Sequence, residues 1–303
     1  MALIGTGSNP RALQPGVNKW VGLAYNELEL QYPKIFNTLR SNKNYEIQTT
    51  MSTTGLLTVK PEGQTITYDD FAQGFDQTYR HFVYASGFVL TRENIEDNQY
   101  MELAEARSRM LGRSARITKE TVAANVLNRA FNSSYTGADG LELCSTAHLL
   151  EKGGTYRNEL STAADLSEAS LEQACIDIAD FRDGANKLIA ARPKRLIVPP
   201  ALEFEAKRIL GSTLQSGTAN NDLNALKALG SIPEGATVNN FLTDADAWFV
   251  ITDVPDGLTH FQRRDLDIKS DSDFDSENMK YKVTERYSFG WTDPRGIFGS
   301  PGA

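Results

Sequence analysis

The stretch RENIEDNQYMELAEARSRMLGRSARITKETVAANVLNRAF, residues 92–131, decides the fold because it predicts one very long helix. It contains no proline and a single glycine, Gly112, and it is rich in residue types that favour helix. Thr91 is placed to cap this helix, and Gly112 and Thr118 are the points where a break or bend is expected. Unbroken, it would be about 57 Å long, more than most globular helices. Apolar side chains spaced by seven residues mark one side of it: Leu103, Met110, Ile117, Ala124 and Phe131.

The same stretch is locally basic in an acidic chain. Its arginines include Arg107, Arg109, Arg113 and Arg116. The simplest interpretation is a solvated helix face, and the alternative is contact with DNA or with an acidic neighbour.

The composition predicts an ordinary folded protein and excludes several classes. The chain has 303 residues, with 40% hydrophobic and 23% charged. A net charge of −8 and a pI of about 5.1 argue against a dedicated nucleic-acid binder. No run approaches the roughly 20 apolar residues of a membrane helix, and no secretion signal is expected. Two cysteines and three scattered histidines predict neither a disulfide framework nor a metal site.

The first 44 residues predict an arm followed by a helix. Residues 1–20 are rich in Gly, Pro, Asn and Ser, which indicates an extended segment that packs on something else. A short helix is expected from Val21 to Arg40, interrupted at Pro33. Its expected packing positions are Leu23, Leu28, Tyr32 and Phe36.

Residues 45–80 predict a long polar hairpin. Alternating residues from Tyr45 to Thr53 indicate one strand, Pro61-Glu62-Gly63 a turn, and residues 65–68 the returning strand. Arms of about ten residues would reach roughly 30 Å. With few large apolar residues, such a hairpin should lie on another surface. Residues 81–90, HFVYASGFVL, then predict a buried strand.

Residues 165–260 alternate between helical and strand patterns, which predicts a compact α/β layer. Ser170 to Gln173 resembles a capping box that opens an amphipathic helix running toward Leu188, with Cys175 on its apolar face. The remaining elements follow in order: a strand at 195–198, a helix from Pro200 to Gly211, a helix at 223–229 and a strand at 248–253. The last part, 258–299, is strand-like and closes with a long strand at 281–289.

Several segments resemble the Hong Kong 97-type major capsid proteins of tailed bacteriophages, and within that fold the Mu-like major head subunits. The likeness covers nearly the whole chain and rests on the order of elements, since no single motif is diagnostic. The similar segments are GRSARITKETVAANVLNRAF (112–131), YTGADGLELCSTAHL (135–149), KRLIVPPALEFEAKRIL (194–210), ADAWFVITD (245–253) and RYSFGWTDPRGIFG (286–299).

The resemblance implies an α+β fold with a division of labour along the chain. Its expected parts are an N-terminal arm and first helix (1–44), an extended loop (45–80), a peripheral domain with a spine helix (81–164), an axial domain (165–263) and a return to the peripheral domain (264–303). The loop would contact a neighbouring subunit through Thr54, Leu56, Lys60, Glu62 and Gln64. The arm would do so through Arg11 and Trp20.

The function implied is structural and not enzymatic. The chain would assemble into hexamers and pentamers of an icosahedral virion shell around double-stranded DNA, after synthesis in the host cytoplasm. Expected partners are other copies of itself, a separate scaffold, a protease, a portal, a decoration protein and non-specifically contacted DNA, with no cofactor and no membrane. Some relatives cross-link a loop lysine to an asparagine; Lys60 lies near the tip, but no matching asparagine is identified.

Three alternatives stay open. The first is an encapsulin-type nanocompartment shell. The second is a hydrolase using Cys144, Ser145 and His148, which is disfavoured because that segment reads as an exposed loop without an orienting carboxylate. The third is a cation site at Asp271, Asp273 and Asp275, although Ser276 and Lys282 break the calcium-loop pattern.

Overall fold

The long helix is present, with bounds that differ from the expectation. The computed structural model describes residues 14–51, 56–66, 68, 73–96, 100–215, 222–273 and 277–303. Helix α2 spans Arg92–Glu96, and the hydroxyl of Thr91 accepts a hydrogen bond from Asn94 N at 3.4 Å, as a cap does. Helix α3 spans Tyr100–Asn128, 29 residues or about 43 Å, and continues through both Gly112 and Thr118.

The N-terminal segment is the first correction, because part of it is a helix packed on its own chain. Helix α1 spans Gln14–Glu27, where an extended arm was expected up to residue 20. Val17 and Val21 are fully buried in one cluster with Leu111 of α3. The predicted helix from Val21 to Arg40 is therefore wrong in its bounds. Helix α1 is followed by a 3-10 turn at Tyr32–Lys34 and by strand β1 at Asn37–Arg40.

Two predicted packing positions of this region are confirmed and one is wrong. Tyr32 and Phe36 are buried, whereas Leu23 is exposed on the outer side of α1. Its exposure follows from the neighbours of α1: the side that carries Val17 and Val21 is the one facing α3.

The hairpin is confirmed at its base. Strand β2 (Tyr45–Met51) pairs antiparallel with β3 (Gln73–Arg80). The predicted turn is also present: Gln64 N donates to Pro61 O at 3.3 Å, and Gly63 has φ of +77°. The returning strand was expected too early, since residues 65 and 66 are not in a strand and β3 begins only at Gln73.

The strand after the hairpin is an exposed edge, not a buried strand. Among the described strands, β4 (Phe82–Leu90) pairs only with β11 (Met279–Trp291). Strand β11 pairs in turn with β10 (Leu258–Ser272), and β10 pairs with β1. Alternate residues of β11 are buried against α1 and α3, including Tyr281 and Val283. Phe82, Val83 and Val89 of β4 remain exposed, because no element of the described chain covers them.

The α/β layer is confirmed and forms the second sheet. A short hairpin of β5 (His148–Leu149) and β6 (Thr155–Tyr156) precedes it. The sheet contains, in spatial order, β12 (Ile297–Ser300), β9 (Trp248–Thr252), β7 (Pro193–Val198) and β8 (Ala236–Val238). Three helices accompany it: α4 (Glu168–Ala179), α5 (Glu203–Gly211) and α6 (Ala225–Leu229). Their side chains Ala174, Ile209 and Leu226 are buried in one core cluster with Trp248.

The bounds of α4 correct the sequence analysis. Its cap is Ser167, three residues before the predicted cap, with Ser170 as the reciprocal partner, and the helix ends at Ala179 instead of running toward Leu188. Strand β10 runs across residues 263 and 264, where the boundary between the axial and peripheral domains stays a prediction, and β12 pairs with β9 of the second sheet. The C-terminal segment thus joins both sheets, through β11 and β12.

Candidate assembly surfaces

The extended loop leaves its apolar side chains in water. Of the five loop residues predicted to contact a neighbouring subunit, Leu56, Lys60, Glu62 and Gln64 are exposed, and Thr54 lies outside the described residues; the contact itself stays a prediction. Leu57 is 99% exposed and Val59 is 94% exposed. Isolated exposed leucines are ordinary, but neighbouring ones this bare on a projecting loop mark an interaction site.

The base of the hairpin is fixed to the body. The hydroxyl of Tyr79 lies 2.6 Å from that of Thr292, which also donates to Gln48 Oε1 at 2.5 Å. Tyr79 is buried and its ring packs edge-on against Phe261. The two strands of the hairpin are therefore held in a defined direction where they leave the body.

The two residues predicted for the arm have different outcomes. Arg11 lies outside the described residues. Trp20 is half-buried and packs on the cluster that contains Val17 and Val21, so much of its surface contacts its own chain.

The four spine arginines separate into three surroundings. Arg107 and Arg113 are exposed. Arg109 forms ion pairs with Glu105 at 3.0 Å and Glu27 at 3.9 Å. Arg116 is 4% exposed, which corrects the expectation that it faces DNA or a neighbour. Its Nε donates to Tyr25 O at 2.7 Å and its guanidinium stacks 3.8 Å from the Tyr25 ring centre, so it fastens α3 to α1.

A buried polar network below α3 was not foreseen from the sequence. Lys119 Nζ donates to Glu285 Oε1 at 2.5 Å and to Gln262 Oε1 at 2.8 Å. Burial lowers the pKa of Lys119 more than the Glu285 carboxylate raises it. Next to it, the Glu120 carboxylate accepts from Gln31 N and Tyr32 N, both at 3.0 Å, and burial raises its pKa. These contacts join α3 to the first sheet and to the 3-10 turn.

The proposed hydrolase residues are buried and do not form a nucleophilic site. His148 is fully buried, and its Nδ1 lies 2.5 Å from Asp139 Oδ2, so the expectation of an exposed loop without an orienting carboxylate was wrong. However, Nε2 of His148 has no hydrogen-bond partner among the residues that the structure describes, and the backbone N–H of Ser145 donates to Asn158 Oδ1. Burial raises the pKa of Cys144 well above its usual range, which disfavours the thiolate. The arrangement therefore lacks the nucleophile–base contact that such catalysis requires.

The aspartate series does not gather around a common point in the part that is described. Asp273 pairs with Lys280 at 2.6 Å, Asp271 is exposed, and Asp275 lies outside the described residues. Among the described residues, no group of three or more acidic, His or Cys side chains could hold a metal ion, and no helix could span a bilayer.

The combination of a projecting loop, a long spine helix against one sheet and a second α/β sheet is the Hong Kong 97-type fold of phage capsid proteins. Among 197 matching solved chains, three illustrate it. A virus-like particle from Pyrococcus furiosus has 11% identity and a TM-score of 0.52, covering 96% of this chain and 98% of that one. The procapsid of bacteriophage JBD30 has 14% identity and a TM-score of 0.53, covering 96% and 74%. The capsid of a native GTA particle has 12% identity and a TM-score of 0.55, covering 91% of each chain.

The chain belongs to the phage capsid protein family, whose model matches residues 76–299. No curated protein sequence matches it. The narrower likeness to Mu-like head subunits stays a prediction.

Proposed function

We propose that the chain is a major capsid protein that assembles into hexamers and pentamers of an icosahedral virion shell enclosing double-stranded DNA. The observation that carries the proposal is the bare apolar tip of the extended loop, at Leu56, Leu57 and Val59. Covering such a side chain contributes about 1.5–3 kcal/mol, so the loop of each copy has a strong reason to lie on another copy.

The receiving surface is argued from the same structure. Strand β4 is an open sheet edge, and Phe82, Val83 and Val89 on it are exposed. Open edges with apolar side chains are normally covered, because they otherwise pair indiscriminately. The loop of one copy and the β4 region of the next supply complementary uncovered surfaces, repeated around a ring.

The acidic chain suits a container for DNA more than a tight DNA binder. Contact with packaged duplex would be non-specific and would use scattered Lys and Arg side chains. A separate scaffold, a protease, a portal and a decoration protein complete the proposed set of partners. The site of action is the virion shell, after synthesis in the host cytoplasm.

The experiment compares shell formation by the unaltered chain and by a variant carrying Leu56→Asp and Leu57→Asp. Electron microscopy and sedimentation of the unaltered chain should show capsomers or shells, whereas the variant should stay as small species with an unchanged melting temperature. Leu229→Asp is the control, because Leu229 is 80% exposed on α6 of the second sheet and away from the loop. A chain that stays monomeric under all assembly conditions would contradict the proposal.

A nanocompartment shell is the second candidate, and the likeness to the virus-like particle over 96% of the chain favours keeping it. The contents of purified shells decide between the two. Shells formed in the presence of the neighbouring genes should hold DNA if the first proposal is right, and a single packaged enzyme if the second is right.

A further inference from the structure

Helix α3 carries an apolar side that its own chain does not use. Met110 is 71% exposed, and Leu103 and Ile117 are 38% and 40% exposed. The sequence analysis places these residues on one side of the helix, and the structure shows that a different side, which carries Ala104, Ser108 and Leu111, is buried against α1 and the first sheet. The helix is thus apolar on two sides, of which one is open.

The open side supplies one of the two positions that form a coiled-coil seam, while the other position holds Ala106 and Arg113. Leu103, Met110 and Ile117 recur every seven residues, so they stay on one line along two helices that wind around each other. The buried residues Ala104 and Ser108 fall at the heptad positions facing away from such a seam. A second helix could therefore lie along α3 without disturbing its existing contacts.

The charges beside this seam are positive. Arg107 and Arg113 lie on the same side and are exposed, and in the described part of the chain neither forms an ion pair with a carboxylate. In a chain of net charge −8, unpaired arginines flanking an apolar line indicate an acidic partner. We call Leu103, Arg107, Met110, Arg113 and Ile117 the α3 seam.

We propose that the α3 seam binds an amphipathic helix of a separate protein, with apolar residues in heptad spacing and Asp or Glu beside them. Segments of this chain are poorer candidates. Residues 1–13 carry one charge, that of Arg11, and residues 52–72 include Pro61 and Gly63, which break helices. Duplex DNA would neutralise the arginines but would leave Met110 in water.

The test uses the full chain and fluorescent peptides of three heptads with Leu at both seam positions. One peptide has Glu at the flanking positions, where mutual repulsion keeps it from pairing with itself, and its matched partner has Lys. A short DNA duplex is the third probe. The Glu peptide should bind, the Lys peptide and the duplex should bind at least about tenfold more weakly, and Met110→Glu should reduce binding of the Glu peptide about tenfold.

The variants make the result decisive. Arg107→Glu with Arg113→Glu should reverse the preference to the Lys peptide, and Phe204→Glu, at a helical residue that is 72% exposed elsewhere, should change nothing. No binding of the Glu peptide, tighter binding of the duplex, or equal binding by the Met110→Glu protein would overturn the proposal. Shell formation is not needed for this binding, so failure of the loop experiment and failure of this one are separate outcomes.

Discussion

Lys119 and Glu285 form a buried ion pair, with Nζ and Oε1 2.5 Å apart and side chains that are 4% and 5% exposed. The lysine belongs to α3 and the glutamate to β11, so the pair joins the spine helix to the first sheet. Gln262 of β10 bonds both partners, at 2.8 and 2.9 Å, and Tyr25 of α1 donates to Glu285 at 3.2 Å. Four elements therefore meet at one charged point inside the body.

Removing one member of this pair should destabilise the fold strongly. Lys119→Met leaves the Glu285 carboxylate buried without its cation, which we expect to lower the free energy of unfolding by about 3–5 kcal/mol. Denaturant titration at neutral pH measures the change. Lys119→Met combined with Glu285→Leu should lose clearly less than the sum of the two single variants; a double loss equal to that sum would mean that the charges are not coupled.

His260 should make stability fall in acid. Burial, helped by the Lys119 cation, lowers the pKa of this histidine from 6.5 to about 3. In the unfolded chain His260 therefore binds a proton below about pH 6.5, whereas in the folded chain it stays neutral down to about pH 3. The stabilisation is complete above that window and is lost as the pH falls through it, by up to about 1.4 kcal/mol per pH unit.

His260→Gln isolates this contribution from that of the carboxylates. The variant should be less stable at pH 8, because the stacking of His260 on Phe289 at 4.3 Å is lost. The stability difference between the two proteins should narrow from pH 6.5 toward pH 4. A difference that stays constant with pH would show that His260 titrates alike in both states.

Gly112 should be needed for the approach of α1 to α3. A Cβ at this position would clash with the carbonyl oxygen of Val21. Gly112→Ala should therefore lower the free energy of unfolding by about 1–3 kcal/mol, although Ala normally favours helix over Gly by about 1 kcal/mol. Gly22→Ala in α1 is the matched control, since nothing lies near its added methyl group, and it should stabilise. If both variants stabilise, the helices are not in close contact.

The cysteines should be inert in the folded protein. Burial raises the pKa of Cys175 to about 11 and that of Cys144 well above its usual range, so thiolate is scarce at neutral pH. A thiol reagent should modify both at least about 100-fold more slowly than in denaturant. Single Cys→Ser variants assign each phase of the reaction. Fast labelling of Cys144 in the folded state would reopen the hydrolase hypothesis.

The α/β layer was predictable because its periodicity is local. Strands at 195–198 and 248–253, and the helix begun by Pro200, lie within a residue or two of the observed elements. Each buries its apolar side in one cluster, so the pattern in the sequence and the burial in the structure agree.

The surfaces beside α3 were harder to predict for a physical reason. The helix is apolar on two sides, and sequence spacing alone did not reveal which side its own chain covers. Residues 82–89 have the composition of a buried strand yet form an exposed edge, since the sequence does not distinguish apolar residues of an uncovered edge from core residues. Lys119 and Glu285 are 166 positions apart, so no local pattern could pair them.

The exposed loop residues Leu57 and Val59 also affect the chain before any assembly takes place. An isolated copy presents these two side chains to water on a projecting loop, and exposed apolar side chains of this kind can bind other apolar surfaces. If the loop lies on another copy in the shell, as proposed, slow assembly would prolong this exposure and favour aggregation, so the supply of the chain and the rate of assembly would have to be matched.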